Sequence, residues 1–147
     1  MTMLYKAAFW FICLFVLLLG LEVIYPLDLD LSSMRVFGTL CLFASLLIAS
    51  WTKYLYARHK TSYDPDDAPA VLITDSIYSL SRNPIYIALL LAFLGISIVL
   101  SLSYFLLGTF LLYLILSKFV IPHEEKELHN IFTQAYQEYQ STVPKWL

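Results

Sequence analysis

The residues of this 147-residue chain that could do chemistry gather in two short stretches. One runs Arg82, Asn83, Pro84 to Tyr86, and the other opens with Pro122, His123, Glu124 and Glu125. Two adjacent carboxylates at the edge of an apolar run can face a bound cation or an amine, and ionisable groups near membrane depth lean towards function. The same pair also reads as the opening charge of a helix, where carboxylates favour the macrodipole. Arg82 precedes another apolar run, so it either anchors the topology or clamps a carboxylate with its planar fork. His59, His123 and His129 lack the convergent spacing of metal ligands, so no metal site is expected. Cys13 and Cys41 sit singly inside hydrophobic runs and read as small lipid-buried side chains. A glycine-rich strand-to-helix turn, a Walker loop and G-x-S-x-G are all missing, which excludes the soluble folds built on them. No residue is singled out as catalytic.

The chain that must position these groups is 60% apolar and 14% charged. A soluble domain is nearer to about half apolar and a quarter charged. A span needs roughly 20 apolar residues. Ala7 to Tyr25 supplies the first, with Glu22 near its end, where the carboxylate can reach the headgroups. That run exceeds the roughly 7–15 residues of a signal peptide and no A-x-A-like site follows, so a retained anchor is expected. Val36 to Tyr54 supplies the second span. The uncharged run Asn83 to Ser117 would make a helix of roughly 50 Å against about 30 Å of hydrocarbon, so it must fold back. Ser101, Leu102 and Ser103 interrupt it near the middle, which predicts helices Pro84–Leu100 and Tyr104–Ile121 joined by a tight, shallow turn. Small residues at spacings of four and three, Cys41, Ser45 and Ala49, then Ala88, Ala92 and Gly95, either mark where helices approach closely or arise by chance in runs of such residues.

Two polar pieces remain. Thr61 to Pro69, rich in Asp and Pro, predicts irregular chain. Val71 to Asn83 mixes apolar anchors with hydroxyls and leads into the third span, with Pro84 in a helix's first turn and Asn83 as its cap. From Glu124 to Tyr139 the apolar residues Leu128, Ile131, Phe132, Ala135, Tyr136 and Tyr139 form one helical stripe. Glu124, Glu125 and Glu127 fill the first turn of that tail helix, which either lies on the membrane or packs over the preceding loop. Lys6, Lys53, Arg58, Lys60, Arg82, Lys118, Lys126 and Lys145 fall on one side of the predicted spans, and Arg35 alone on the other. The positive-inside rule then places both termini and the long loop in the cytoplasm. The expected architecture is an all-α membrane protein of four transmembrane helices, the last two a tight hairpin, plus a cytoplasmic amphipathic C-terminal helix. It forms a single membrane domain, residues 1–57 as a helix pair and 58–147 as loop, hairpin and tail. A net charge of −2 gives no reason to expect nucleic acid.

Three motifs occur together: Leu72 to Tyr78, then Ser81 to Tyr86, then a hydrophobic hairpin leading to Glu124, Glu125, Leu128, Phe132, Tyr136 and Tyr139, with Val143 to Trp146 at the end. This combination resembles the isoprenylcysteine carboxyl methyltransferase and phospholipid methyltransferase superfamily of integral membrane enzymes, over about residues 69–147. The resemblance implies a membrane enzyme that binds S-adenosylmethionine at the cytoplasmic face and methylates a lipid-like or small amphipathic acceptor. By position, the backbone of Ala70, Val71, Leu72 and Ile73 would line the adenosine. Tyr78, Arg82, Asn83, Pro84 and Tyr86 would contact the cofactor. Glu124 would take its amino or ribose groups, with Glu125 and Tyr136 in support. The sulfonium prefers carboxylates, carbonyl dipoles and aromatic faces, which Tyr78, Tyr86, Tyr136 and Tyr139 could supply. The reading requires Tyr86 and Glu124 to lie on one side of the membrane and close together.

The chain departs from the family pattern at several positions. Relatives often carry glycine at the places of Ser76, Ala88 and Thr133, and arginine at the place of Ser79. Prenylcysteine-type enzymes tend to have arginine at the place of Val120. Val120 argues against a prenylcysteine substrate, and the glycine departures favour an alternative: a non-catalytic membrane protein that keeps the fold as a partner-binding or structural module.

Overall fold

The computed structural model describes residues 3–27, 29–61 and 69–147, with side chains from residue 7 onwards. Most of the predicted irregular stretch Thr61 to Pro69 lies outside the described residues. The described chain is helical, with no strand. Helix α1 spans Met3–Ile24, α2 Arg35–Arg58, α3 Pro84–Val99, α4 Ser103–Ile115 and α5 Ile121–Thr142. Helices α1 and α2, and the rod from α4 through α5, are long and apolar enough to cross a membrane, while α3 is shorter.

The packing order follows from where small side chains lie. Helix α2 packs most extensively on α3, α3 on α4, and α4 on α1. Gly38 and Gly95 set the first contact: a Cβ on Gly95 would sit 2.7 Å from Leu42 Cγ and 2.8 Å from the Gly38 carbonyl. Cys41, Ser45, Ala88 and Gly95 are all buried, and the Ser45 hydroxyl donates to the Ala88 carbonyl at 2.8 Å. The small residues therefore mark a true helix interface, as close approach in lipid requires. Gly108 does the same for α1 and α4, where a Cβ would meet Leu18 at 2.2 Å. Phe93 and Phe105 stack at 5.1 Å, with Phe15 edge-on to both.

The turn between α3 and α4 is tight, as expected. Ser101 takes a positive φ of 55°, and the Leu102 N–H donates to the Ser97 carbonyl at 2.8 Å. The structure also ties this turn down in ways the sequence does not announce. The Ser103 hydroxyl donates to the Leu27 carbonyl, and Glu22 Oε2 accepts from the Tyr104 N–H at 3.0 Å. Glu22 thereby satisfies one of the orphan donors in the first turn of α4.

The tail helix does not begin afresh at Glu124. The chain stays helical from Ser103 to Thr142, passing through a π-turn at Leu116–Val120 in which the Ile121 N–H reaches the Leu116 carbonyl. Pro122 explains the turn: with no N–H and a ring that crowds the preceding carbonyls, it does not fit a regular α-helix interior. Glu124 and Glu125 are thus not at a free helix end, which weakens the reading of them as dipole-favouring charge. The rod bends once more at Thr133, whose φ of 41° and ψ of −108° lie outside helical space.

Candidate functional site

The start of α3 fixes the first half of the site. The Asn83 carbonyl accepts from the Tyr86 and Ile87 N–H groups at 3.1 and 3.3 Å, and buried Pro84 occupies the first turn. Asn83 stands at the predicted cap, but its side chain does not cap the helix. Its Nδ2 donates instead to the Lys145 carbonyl at 2.9 Å. Tyr86, 2% exposed, projects from this first turn and donates its hydroxyl to Glu124 Oε1. Sequence positions 38 apart are therefore in contact, on one end of the helical layer.

The π-turn delivers the second half. Ala7, Tyr86, Val120 and Ile121 share one buried cluster, which seats the rod against α3 and the beginning of α1 just ahead of the carboxylates. The adjacent glutamates then have different surroundings. Glu125 is neutralised twice: Arg82 Nη1 donates to Oε1 at 2.7 Å, and Lys145 Nζ lies 3.6 Å from Oε2. Among the described residues no cation pairs with Glu124. Glu124 lies beyond the apolar part of the rod, and burial pushes its carboxyl up to about 7. The Tyr86 hydrogen bond opposes that shift, and Glu127 and Glu125 add to it.

The remaining predicted residues surround this pair. The Tyr136 hydroxyl lies 3.5 Å from Arg82 Nη1, and Arg82 Nε is buried with no hydrogen-bond partner. Tyr139 donates to the Tyr78 carbonyl at 2.6 Å, which joins the loop to α5. Leu72 packs on Tyr136, Tyr139 and Val143, while Ile73 packs on Leu55 and Tyr78. The segment Ala70 to Ile73 thus bridges the end of α2 and the tail helix, with Ala70 and Val71 at its exposed end. Burial raises the hydroxyls of Tyr78, Tyr136 and Tyr139, so all three remain protonated donors. The structure therefore groups Arg82, Asn83, Pro84, Tyr86, Glu124, Glu125 and Tyr136, and sets Ala70–Ile73 and Tyr78 alongside them.

Sequence reasoning overlooked Ser81, Lys145 and Trp146 as parts of this arrangement. Lys145 read as a topology charge, although the Val143 to Trp146 motif was a usable signal. Two of the three positions where the resemblance leads one to expect glycine, Ser76 and Thr133, have positive φ, 58° and 41°. The backbone there takes a conformation glycine would favour, with serine and threonine in its place. Ala88 is different: it is a buried helical residue against Ser45, where glycine would serve close packing. Val120 is buried among apolar groups.

Comparison with curated proteins and with solved structures found no match. Comparison with protein families did: residues 33–135 match the phospholipid methyltransferase family, over two thirds of the chain. The match takes in α2, which the motifs alone did not, and ends ahead of Val143 to Trp146. The motifs, their spatial grouping and this match agree, and the chain belongs to the phospholipid methyltransferase family.

Proposed function

We propose that this protein is a multi-pass membrane methyltransferase that uses S-adenosylmethionine and acts on a lipid-like or small amphipathic acceptor. In this reading α1, α2, α3 and the apolar half of the α4–α5 rod cross the bilayer, and both termini face the cytoplasm. The single observation that carries it is the contact of Tyr86 with Glu124, which unites two motifs 38 positions apart.

The residues present fit the cofactor. Among the described residues Glu124 is a partly buried carboxylate with no cation paired to it, and Arg82 Nε is a buried donor with no acceptor. Together they complement a ligand that carries a cation and a carboxylate, as the methionine part of S-adenosylmethionine does. The cofactor supplies a methyl group already activated by its sulfonium, so the protein needs no metal. The chain's contribution is placement: holding donor and acceptor in line can supply on the order of 7–11 kcal/mol of the barrier. Tyr86 orients the Glu124 carboxylate, Glu125 and Tyr136 hold Arg82, and the Ala70–Ile73 backbone would cover the nucleoside. Burial of Val120 leaves no countercharge at that position for an anionic acceptor, which disfavours a prenylcysteine carboxylate.

Calorimetric titration of the purified protein in nanodiscs with S-adenosylhomocysteine tests the reading. Binding should occur in wild type and be lost in Glu124→Ala and Tyr86→Ala, while helical content is kept. No binding by wild type in nanodiscs and in two detergents would refute it. Cofactor binding without methyl transfer to a broad lipid extract would favour the non-catalytic alternative.

A further inference from the structure

Beyond the family match lies a segment whose contacts are denser than its length suggests. After α5 ends at Thr142 the chain turns back on itself, with Val143 buried and extended. The next two carbonyls are both used. Pro144 O accepts from the Arg82 N–H at 3.0 Å. Lys145 O accepts from Asn83 Nδ2 at 2.9 Å and from the Ser81 hydroxyl at 3.2 Å. Ser81 Oγ also accepts from the Asn83 N–H at 3.2 Å, so one buried serine joins the two strands of chain. The Lys145 ammonium then returns to α5, 3.6 Å from Glu125. Trp146 packs on Tyr113 of α4 with ring centres 5.4 Å apart. Three consecutive residues thus touch the turn before α3, the carboxylate of α5 and the side of α4.

We propose that residues 144–146 form a clasp that presets the site, with Lys145 as its positioning residue. Lys145 acts through other groups. Its carbonyl fixes the Asn83 side chain, and its ammonium shares Glu125 with Arg82, which holds the guanidinium at one place. The clasp closes a ring: turn 81–83, strap 144–145, Glu125, and Arg82 again. A ligand that engages Arg82 and Glu124 then meets groups already in place, so less ordering opposes binding. This consequence for affinity rests on the methyltransferase reading; the clasp itself does not.

The test uses full-length Lys145→Met, Lys145→Arg and Ser81→Ala in nanodiscs, with two readouts. The first is amide hydrogen exchange without ligand. Peptides covering 81–87 should exchange faster in Lys145→Met and Ser81→Ala, with α2 and the centre of α3 unchanged, and Lys145→Arg should restore protection. The second is titration with S-adenosylhomocysteine. Loss of one partly exposed ion pair predicts a Kd about three- to fivefold higher in Lys145→Met, recovered in Lys145→Arg. A merely structural lysine would slow or speed exchange everywhere, or leave the arginine variant as weak as the methionine one. Unchanged exchange at 81–87 in both Lys145→Met and Ser81→Ala would overturn the clasp. Should wild type bind no nucleoside, the methyltransferase reading fails, while the exchange data still decide the clasp. Should Lys145→Met not fold, Ser81→Ala carries the same comparison.

Discussion

Replacing Glu124 with glutamine should stabilise the ligand-free protein while weakening its ligand binding. The carboxyl is pushed from an ordinary 4.5 up to about 7, chiefly by burial. At about 1.4 kcal/mol per pH unit that difference amounts to roughly 3 kcal/mol at most. Relaxation around a partly buried group will lower it, so roughly 1–3 kcal/mol is expected. The sign follows from linkage. A folded pKa above the unfolded one means the folded protein holds its proton more tightly. That contribution is fully present below pH 4.5, declines as pH rises through about 7, and is gone above. Glutamine mimics the protonated carboxyl and removes the dependence. Glu124→Gln should therefore match wild type near pH 4.5 and exceed it at pH 8, by about 2–4 °C of melting temperature for each kcal/mol. Every other titrating group is common to both proteins and cancels in the difference between them. Thermal unfolding in one detergent at a series of pH values is the assay. A gap between variant and wild type that is absent at pH 8, or equal at pH 4.5 and pH 8, would show that Glu124 is not a desolvated, unpaired carboxylate. The same titration with S-adenosylhomocysteine should show affinity in wild type rising through pH 7, as the anion forms.

Arg82→Met leaves Glu125, 16% exposed, with only the distant Lys145, and should cost roughly 2–4 kcal/mol in denaturant unfolding; Arg82→Met with Glu125→Met should recover most of it. Thr133→Gly should stabilise by about 0.5–2 kcal/mol by the same measurement, because φ 41° with ψ −108° is a region open mainly to glycine. Gly95→Ala should destabilise by about 1–3 kcal/mol and loosen α2 from α3, detectable as faster exchange in both helices, since its Cβ would overlap Leu42 and the Gly38 carbonyl.

Helix boundaries were legible because they depend on local physics. The apolar runs gave α1 and α2 within a few residues, Pro84 gave the start of α3, and Ser101 to Ser103 gave the turn. The grouping of Tyr86 with Glu124 was legible only through the motif resemblance, since no spacing rule connects positions 38 apart. The differing fates of Glu124 and Glu125 were not legible: identical side chains become distinct because Arg82 and Lys145 both reach one of them. Asn83 illustrates the same limit. Its type predicts a cap, but a carbonyl 62 positions away outcompetes the helix for its amide. The bend at Thr133 gave no local signal, because a β-branched residue argues against the backbone it adopts.

The helical run from Ser103 to Glu124, carried through the π-turn, makes the carboxylate the tip of a lever arm whose foot is the start of α4. Glu124 stands about 30 Å along the rod from Ser103 at 1.5 Å per residue, so a rocking of about five degrees would swing it by roughly 3 Å. Between foot and carboxylate the rod stays helical, passing through the π-turn at Leu116–Val120. The bonds of Glu22 and Leu27 to the base of α4 therefore hold the foot of this arm, and a small tilt released there is magnified at the far tip.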